Sequence, residues 1–142
     1  MKMWKKILIG IVVIVAIGVE VLFYMSSNRT EYDFDTDKVA SINAVLGEKR
    51  RVTGVHIGTS DSSKYKQYTY KTESMEQDLA TYIQYLRNNG WLVIRESHNL
   101  TTGGGERQLR IESADSGKIL TMSIVFEQGK YAIRITKSEG RK

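Results

Sequence analysis

The chain has 142 residues, 21 Lys and Arg against 16 Asp and Glu, a formal net charge of +5, and no cysteine. Without thiols there are no disulfides and no cysteine-based nucleophile or metal ligand, so the folded part stands on its hydrophobic core alone. Beyond the first 25 residues, basic residues outnumber acidic ones by three over about 115 residues, an ordinary mixed surface for one domain that excludes a nucleic-acid footprint.

Residues 1–6 form a short basic tab with Lys2, Lys5 and Lys6. Residues 7–25 read ILIGIVVIVAIGVEVLFYM. As a helix this run is about 28 Å long, close to the ~30 Å hydrocarbon layer of a bilayer, and it predicts a transmembrane segment. Glu20 is its one charge and costs about 2.5–3.5 kcal/mol on insertion scales. The thirteen Leu, Ile, Phe and Val residues together return about 4–8 kcal/mol, so insertion is favoured. The run is longer than the core of a cleaved signal peptide, and Tyr24-Met25-Ser26-Ser27 is a poor cleavage site, which predicts an uncleaved anchor. Three lysines precede the run, whereas Glu31, Asp33, Asp35 and Asp37 follow it. The positive-inside rule therefore puts the amino terminus in the cytoplasm and the remainder outside. Glu20 either reaches toward the outer interface or contacts another membrane helix.

Residues 26–37 read as a polar, acidic linker. Asp33, Asp35 and Asp37 have the spacing that opens a calcium loop, but that loop requires Gly and Glu where Lys38 and Ala44 stand. The acids fit better as the entrance to a short helix over 37–46, with Val39, Ile42, Val45 and Leu46 on one side and Gly47 as its stop. The cluster Glu48-Lys49-Arg50-Arg51 reads as a solvated turn, or as a contact for anionic headgroups or wall polymers. An irregular strand is expected over 52–59, then a turn at 61–63 and a strand over 65–72. In that strand Tyr65, Tyr68 and Tyr70 interleave with Lys64, Lys66 and Lys71. Three readings fit: stacking on nucleic acid, a partly exposed edge guarded by lysines, or a face for a glycan or peptide. The extracytoplasmic placement argues against the first.

Ser74 and Gln77 form a capping box for the strongest soluble helix, whose stripe is Leu79, Tyr82, Ile83 and Leu86, ending at Gly90. Trp91 to Ile94 is apolar on both sides and predicts a central strand. Residues 96–106 with three successive glycines read as a flexible connection. The tail alternates clearly and predicts a three-stranded antiparallel meander over about 109–136, turning at Ala114–Gly117 and Gln128–Lys130. The expected fold is α+β: an antiparallel sheet packed on one main helix over residues 38–142.

His56 and His98 are the only histidines, and no spacing joins them into a metal site. No nucleophile elbow, metalloprotease helix or phosphate loop occurs. The reading is therefore non-enzymatic, with no cofactor.

The anchor together with FDTDKVASINAVLGEKR, KYKQYTYK, YIQYLRNNGW and SGKIL before the last two strands resembles a group of small, uncharacterised membrane-anchored proteins of Gram-positive bacteria. That resemblance implies a bacterial cell-surface protein and transfers no activity. The expectation is a single-pass membrane protein holding a small interaction domain outside the bilayer, with an envelope protein or cell-wall polymer as partner and no nucleic acid. Tyr65, Tyr68, Tyr70 and Glu20 are its candidate partner-binding residues. Two alternatives stand beside it: an accessory subunit of a larger envelope complex engaged through the membrane helix, and an enzyme whose site the sequence does not display.

Overall fold

A computed structural model describes Met25, 27–34, 36–60, 63–99 and 103–140. The apolar run apart from Met25, and Glu20 with it, lies outside the described residues, and among those no helix is long and apolar enough to cross a membrane.

The expected α+β architecture is present. A hairpin of β1 (Glu31–Phe34) and β2 (Asp37–Ala40) leads into the short helix α1 (Ile42–Leu46). Then follow β3 (Arg51–Ser60), β4 (Ser63–Lys71), the long helix α2 (Met75–Asn88), β5 (Leu92–Asn99), β6 (Gly104–Glu112), β7 (Lys118–Glu127) and β8 (Lys130–Glu139). The last six strands form one antiparallel sheet in the order β3-β4-β8-β7-β6-β5. The meander β6-β7-β8 follows from alternation: Leu120, Met122, Ile124 and Phe126 of β7 stand opposite Lys137, Ile135, Ile133 and Tyr131 of β8 on the covered side. Gly117 and Gly129 supply the positive φ that its two turns need.

Both helices and the hairpin lie against that same side. Leu79, Tyr82 and Leu86 of α2 are buried, and Tyr82 Oη donates to the Ala40 carbonyl at 2.9 Å. Gly90 (φ 94°) closes the helix, with the Trp91 N–H on the Leu86 carbonyl at 3.0 Å. The expected capping box is not formed: Ser74 makes no side-chain cap bond. Instead Thr72 Oγ1 accepts the Ser74 N–H (3.0 Å) and donates to Asp78 Oδ2 (2.6 Å), so a threonine outside the helix ties down its first turn.

Three further expectations are corrected. Residues 31–34 are a strand, not linker, and 37–40 are strand rather than helix. Tyr32 and Phe34 alternate with Glu31 and Asp33, and the acids face water while the rings pack inward. Tyr32 stacks on Tyr68 with ring centroids 5.1 Å apart, and its hydroxyl lies 2.6 Å from that of Tyr70. Next, the Trp91–Ile94 stretch enters an edge strand, not a central one: Leu92 is 65% and Ile94 50% exposed, and the pairing shifts register between Val93 and Arg95. A bulge of this kind twists an edge away from foreign strands. Finally, the glycine run is not slack. Gly104 and Gly105 belong to β6, and a Cβ on Gly105 would overlap the Ser97 carbonyl oxygen and come within 2.9 Å of the Phe126 ring. The glycine is what lets Phe126 lie against the backbone.

Candidate functional site

Strand alternation leaves the second side of the sheet bare of helices among the described residues. On that open face one register position runs through all six strands: His56 opposite Gln67, Gln67 opposite Arg134, Arg134 opposite Ser123, Ser123 opposite Gln108, and Gln108 opposite Arg95. At about 4.8 Å per strand this polar row is roughly 24 Å long. The next position carries Tyr65, Thr136, Thr121, Arg110 and Leu92.

Several of these side chains are fixed in place. The Tyr65 ring lies over Gly58, where an added Cβ would stand 2.5 Å from it. His56 flanks that ring at 5.4 Å, and the Arg134 guanidinium sits 4.7 Å from its centroid. Arg134 Nε also donates to Gln67 Oε1 at 2.8 Å. Glu106 accepts from Ser123 Oγ (2.8 Å) and Gln108 Nε2 (2.7 Å). Those bonds, with Arg95 nearby, hold its carboxyl below the usual glutamate range. The result is a partly preorganised surface of guanidinium, amide, hydroxyl, imidazole and phenol groups. Such a surface can bind a polar polymer or another protein.

The covered face holds two charged networks. Asp78 accepts from Arg50 (2.8 and 2.9 Å), Thr72 (2.6 Å) and Tyr131 (3.1 Å). Burial alone would raise its carboxyl, but the bonds from Arg50 and Thr72 outweigh that and lower it. Lys137, 4% exposed, lies between Asp37 (2.9 Å) and Asp115. Asp37 also takes the Ser113 hydroxyl (2.5 Å) and the Ala114 N–H (2.7 Å). Each network joins the helix or hairpin layer to the sheet, and its carboxylates are occupied by donors within the fold.

Compared with protein-family models, with curated proteins and with solved structures, the chain matches none. Its own surfaces carry the functional reading.

The three candidate tyrosines do not form one surface. Tyr68 and Tyr70 are 2% and 1% exposed and belong to the core, because positions two apart on a strand share a side and that side lies under the hairpin. Only Tyr65 faces outward, on the open side. The lysines do not guard an edge either, since β4 lies between β3 and β8. Lys66 instead donates to the Asp33 carbonyl at 2.6 Å and lies over the Phe34 ring. His56 and His98 stand on the two opposite edge strands; His56 is on the open face and His98 is edge-on to Phe126 on the covered one. Asp37 of the acidic triplet is engaged by Lys137 rather than poised for a cation. Among the described residues no three His, Asp or Glu side chains are grouped to hold a metal. Glu20 lies outside the described residues. The polar row was not legible in the sequence, because β4 and β8 are far apart in the chain and only their pairing aligns Gln67 with Arg134.

Proposed function

We propose that this is a single-pass membrane protein, without enzymatic activity of its own, that displays a small α+β interaction domain outside the cytoplasmic membrane and binds its partner on the open face of the sheet. The observation that carries this reading is the register row from His56 to Arg95, set on a face that no described element covers. Arg134, held by Gln67 and by the Tyr65 ring, is its anchor point. Guanidinium and aromatic groups that are fixed before binding lose little entropy on binding, which is why they dominate recognition surfaces. The apolar run 7–25 with its preceding lysines supports the membrane placement.

Photo-crosslinking in native cells tests the binding face. A photoreactive amino acid at Thr136, in the middle of the open face, is expected to give a discrete adduct, and Arg134→Ala is expected to reduce it at least tenfold. The same group at Gln84, on the exposed side of α2, is expected to give none. An adduct at Gln84 with none at Thr136 would move the partner to the helix layer and refute the assignment.

A further inference from the structure

The β1-β2 hairpin pairs only with itself, so β2 keeps an outer edge. Along an antiparallel pair, residues that exchange backbone hydrogen bonds alternate with residues whose N–H and C=O turn outward. The Ser41 N–H on the Thr30 carbonyl (2.9 Å) sets the phase of that alternation. Tyr32 and Val39 bond each other, as do Phe34 and Asp37, whereas Glu31 with Ala40 and Asp33 with Lys38 turn their groups outward. Two outward carbonyls are taken: Asp33 accepts Lys66 Nζ at 2.6 Å on the β1 side, and Ala40 accepts Tyr82 Oη at 2.9 Å on the β2 side. The outward N–H and C=O of Lys38 have no partner among the described residues.

Beside that edge lies a cavity of about 230 Å³, between β2, the last turn of α2 and the sheet. Tyr85, Leu86, Trp91, Ile111 and Leu120 line it. It is smaller than the ~300 Å³ at which small-molecule sites usually begin, and suits one large apolar side chain. A free backbone donor and acceptor next to an apolar cavity is how a sheet edge takes up an extended peptide. The backbone bonds supply affinity and the cavity selects a side chain.

We infer that the outer edge of β2 binds an extended peptide segment of another protein. One residue of that peptide exchanges two backbone hydrogen bonds with Lys38. Directly opposed residues point to the same side, so it stands beside the exposed Lys38 side chain, and its neighbour turns a large apolar side chain into the cavity. An acidic residue opposite Lys38 complements its charge. A second copy of this chain paired through the same residue would set Lys38 against Lys38, and like charges directly opposite repel. The site lies on the covered side of the sheet and stands whether or not the open face binds a partner.

The chain has two tryptophans, Trp4 and Trp91, so Trp4→Phe leaves Trp91, in the cavity wall, as the sole indole. The full chain with that change, in phosphatidylcholine vesicles, is titrated with acetyl-Leu-Glu-Leu-amide. Trp91 emission is expected to change saturably. Acetyl-Ala-Glu-Ala-amide lacks the large side chains, and acetyl-Leu-(N-methyl)Glu-Leu-amide lacks the N–H that bonds the Lys38 carbonyl. Each is expected to bind about tenfold more weakly. Lys38→Pro deletes the outward N–H at a place where an edge strand tolerates proline. It is expected to weaken the first peptide by a similar factor with the near-ultraviolet circular dichroism unchanged. Should that variant lose its fold, the N-methylated peptide decides. Equal binding of the alanine or N-methylated peptide, unchanged binding to a folded Lys38→Pro chain, or no saturable response up to about 10 mM peptide overturns the inference.

Discussion

Replacing Asp78 with alanine is expected to destabilise the domain by about 3–5 kcal/mol, the cost of leaving a buried charge without its partner. Asp78 joins three elements at one carboxylate: Arg50 after α1, Thr72 before α2 and Tyr131 on β8. Its removal strands the Arg50 guanidinium, which keeps only the exposed Glu48, and leaves the Tyr131 hydroxyl buried without an acceptor. Urea unfolding of the full chain in mild detergent, followed by near-ultraviolet circular dichroism of the buried tyrosines, measures the loss. Arg50→Met together with Asp78→Leu is expected to recover much of it, because no lone charge then remains. The acid limb follows the same logic. Asp78 and Asp37 have folded-state pKa values below their ordinary ones, so their contribution is full above about pH 4 and drains away as the pH falls further. A loss below 1 kcal/mol for Asp78→Ala would show that the network is dispensable.

The alkaline limb should be steeper still. Burial raises the pKa of Tyr32, Tyr68, Tyr70, Tyr82 and Tyr131, all packed between the sheet and its cover. Lys137 is raised as well: burial opposes its charge, but Asp115 and Asp37 more than compensate. Above about pH 10 the unfolded chain releases these phenolic protons while the folded chain retains them. Stability is therefore intact below pH 10 and falls as the pH rises. Each phenolic proton so retained adds about 1.4 kcal/mol per pH unit to the slope, and several together exhaust an ordinary domain's stability within a few units. The part of the tyrosinate absorbance that comes from these five residues is expected to rise in one cooperative step that coincides with loss of ellipticity. Gradual ionisation of all the tyrosines with the fold intact would contradict a buried tyrosine core.

Local periodicity carried much of the fold. The meander β6-β7-β8 and the stripe of α2 are patterns within a few residues, and both formed as expected. The β1-β2 hairpin was hidden because its acids gave 31–37 the look of a solvated linker, whereas Tyr32 and Phe34 alternate beneath them. The burial of Tyr68 and Tyr70 depends on that hairpin, so their role could not be read from YKQYTYK alone. The exposure of Leu92 and Ile94 is likewise topological: an apolar run becomes an edge only because β8 pairs back onto β4 and sends β5 to the rim. The open-face row exists only through pairings across the whole sheet. Of the candidate site, Tyr65 alone was visible in the sequence.

Labelling with a membrane-impermeant maleimide tests the proposed outward-facing, membrane-held domain most directly. In intact protoplasts, a cysteine at Ser116 should react fully without permeabilisation, and one at Lys2 should react only after lysis. The reverse pattern, or a chain recovered in the soluble fraction with both sites shielded until lysis, would contradict it.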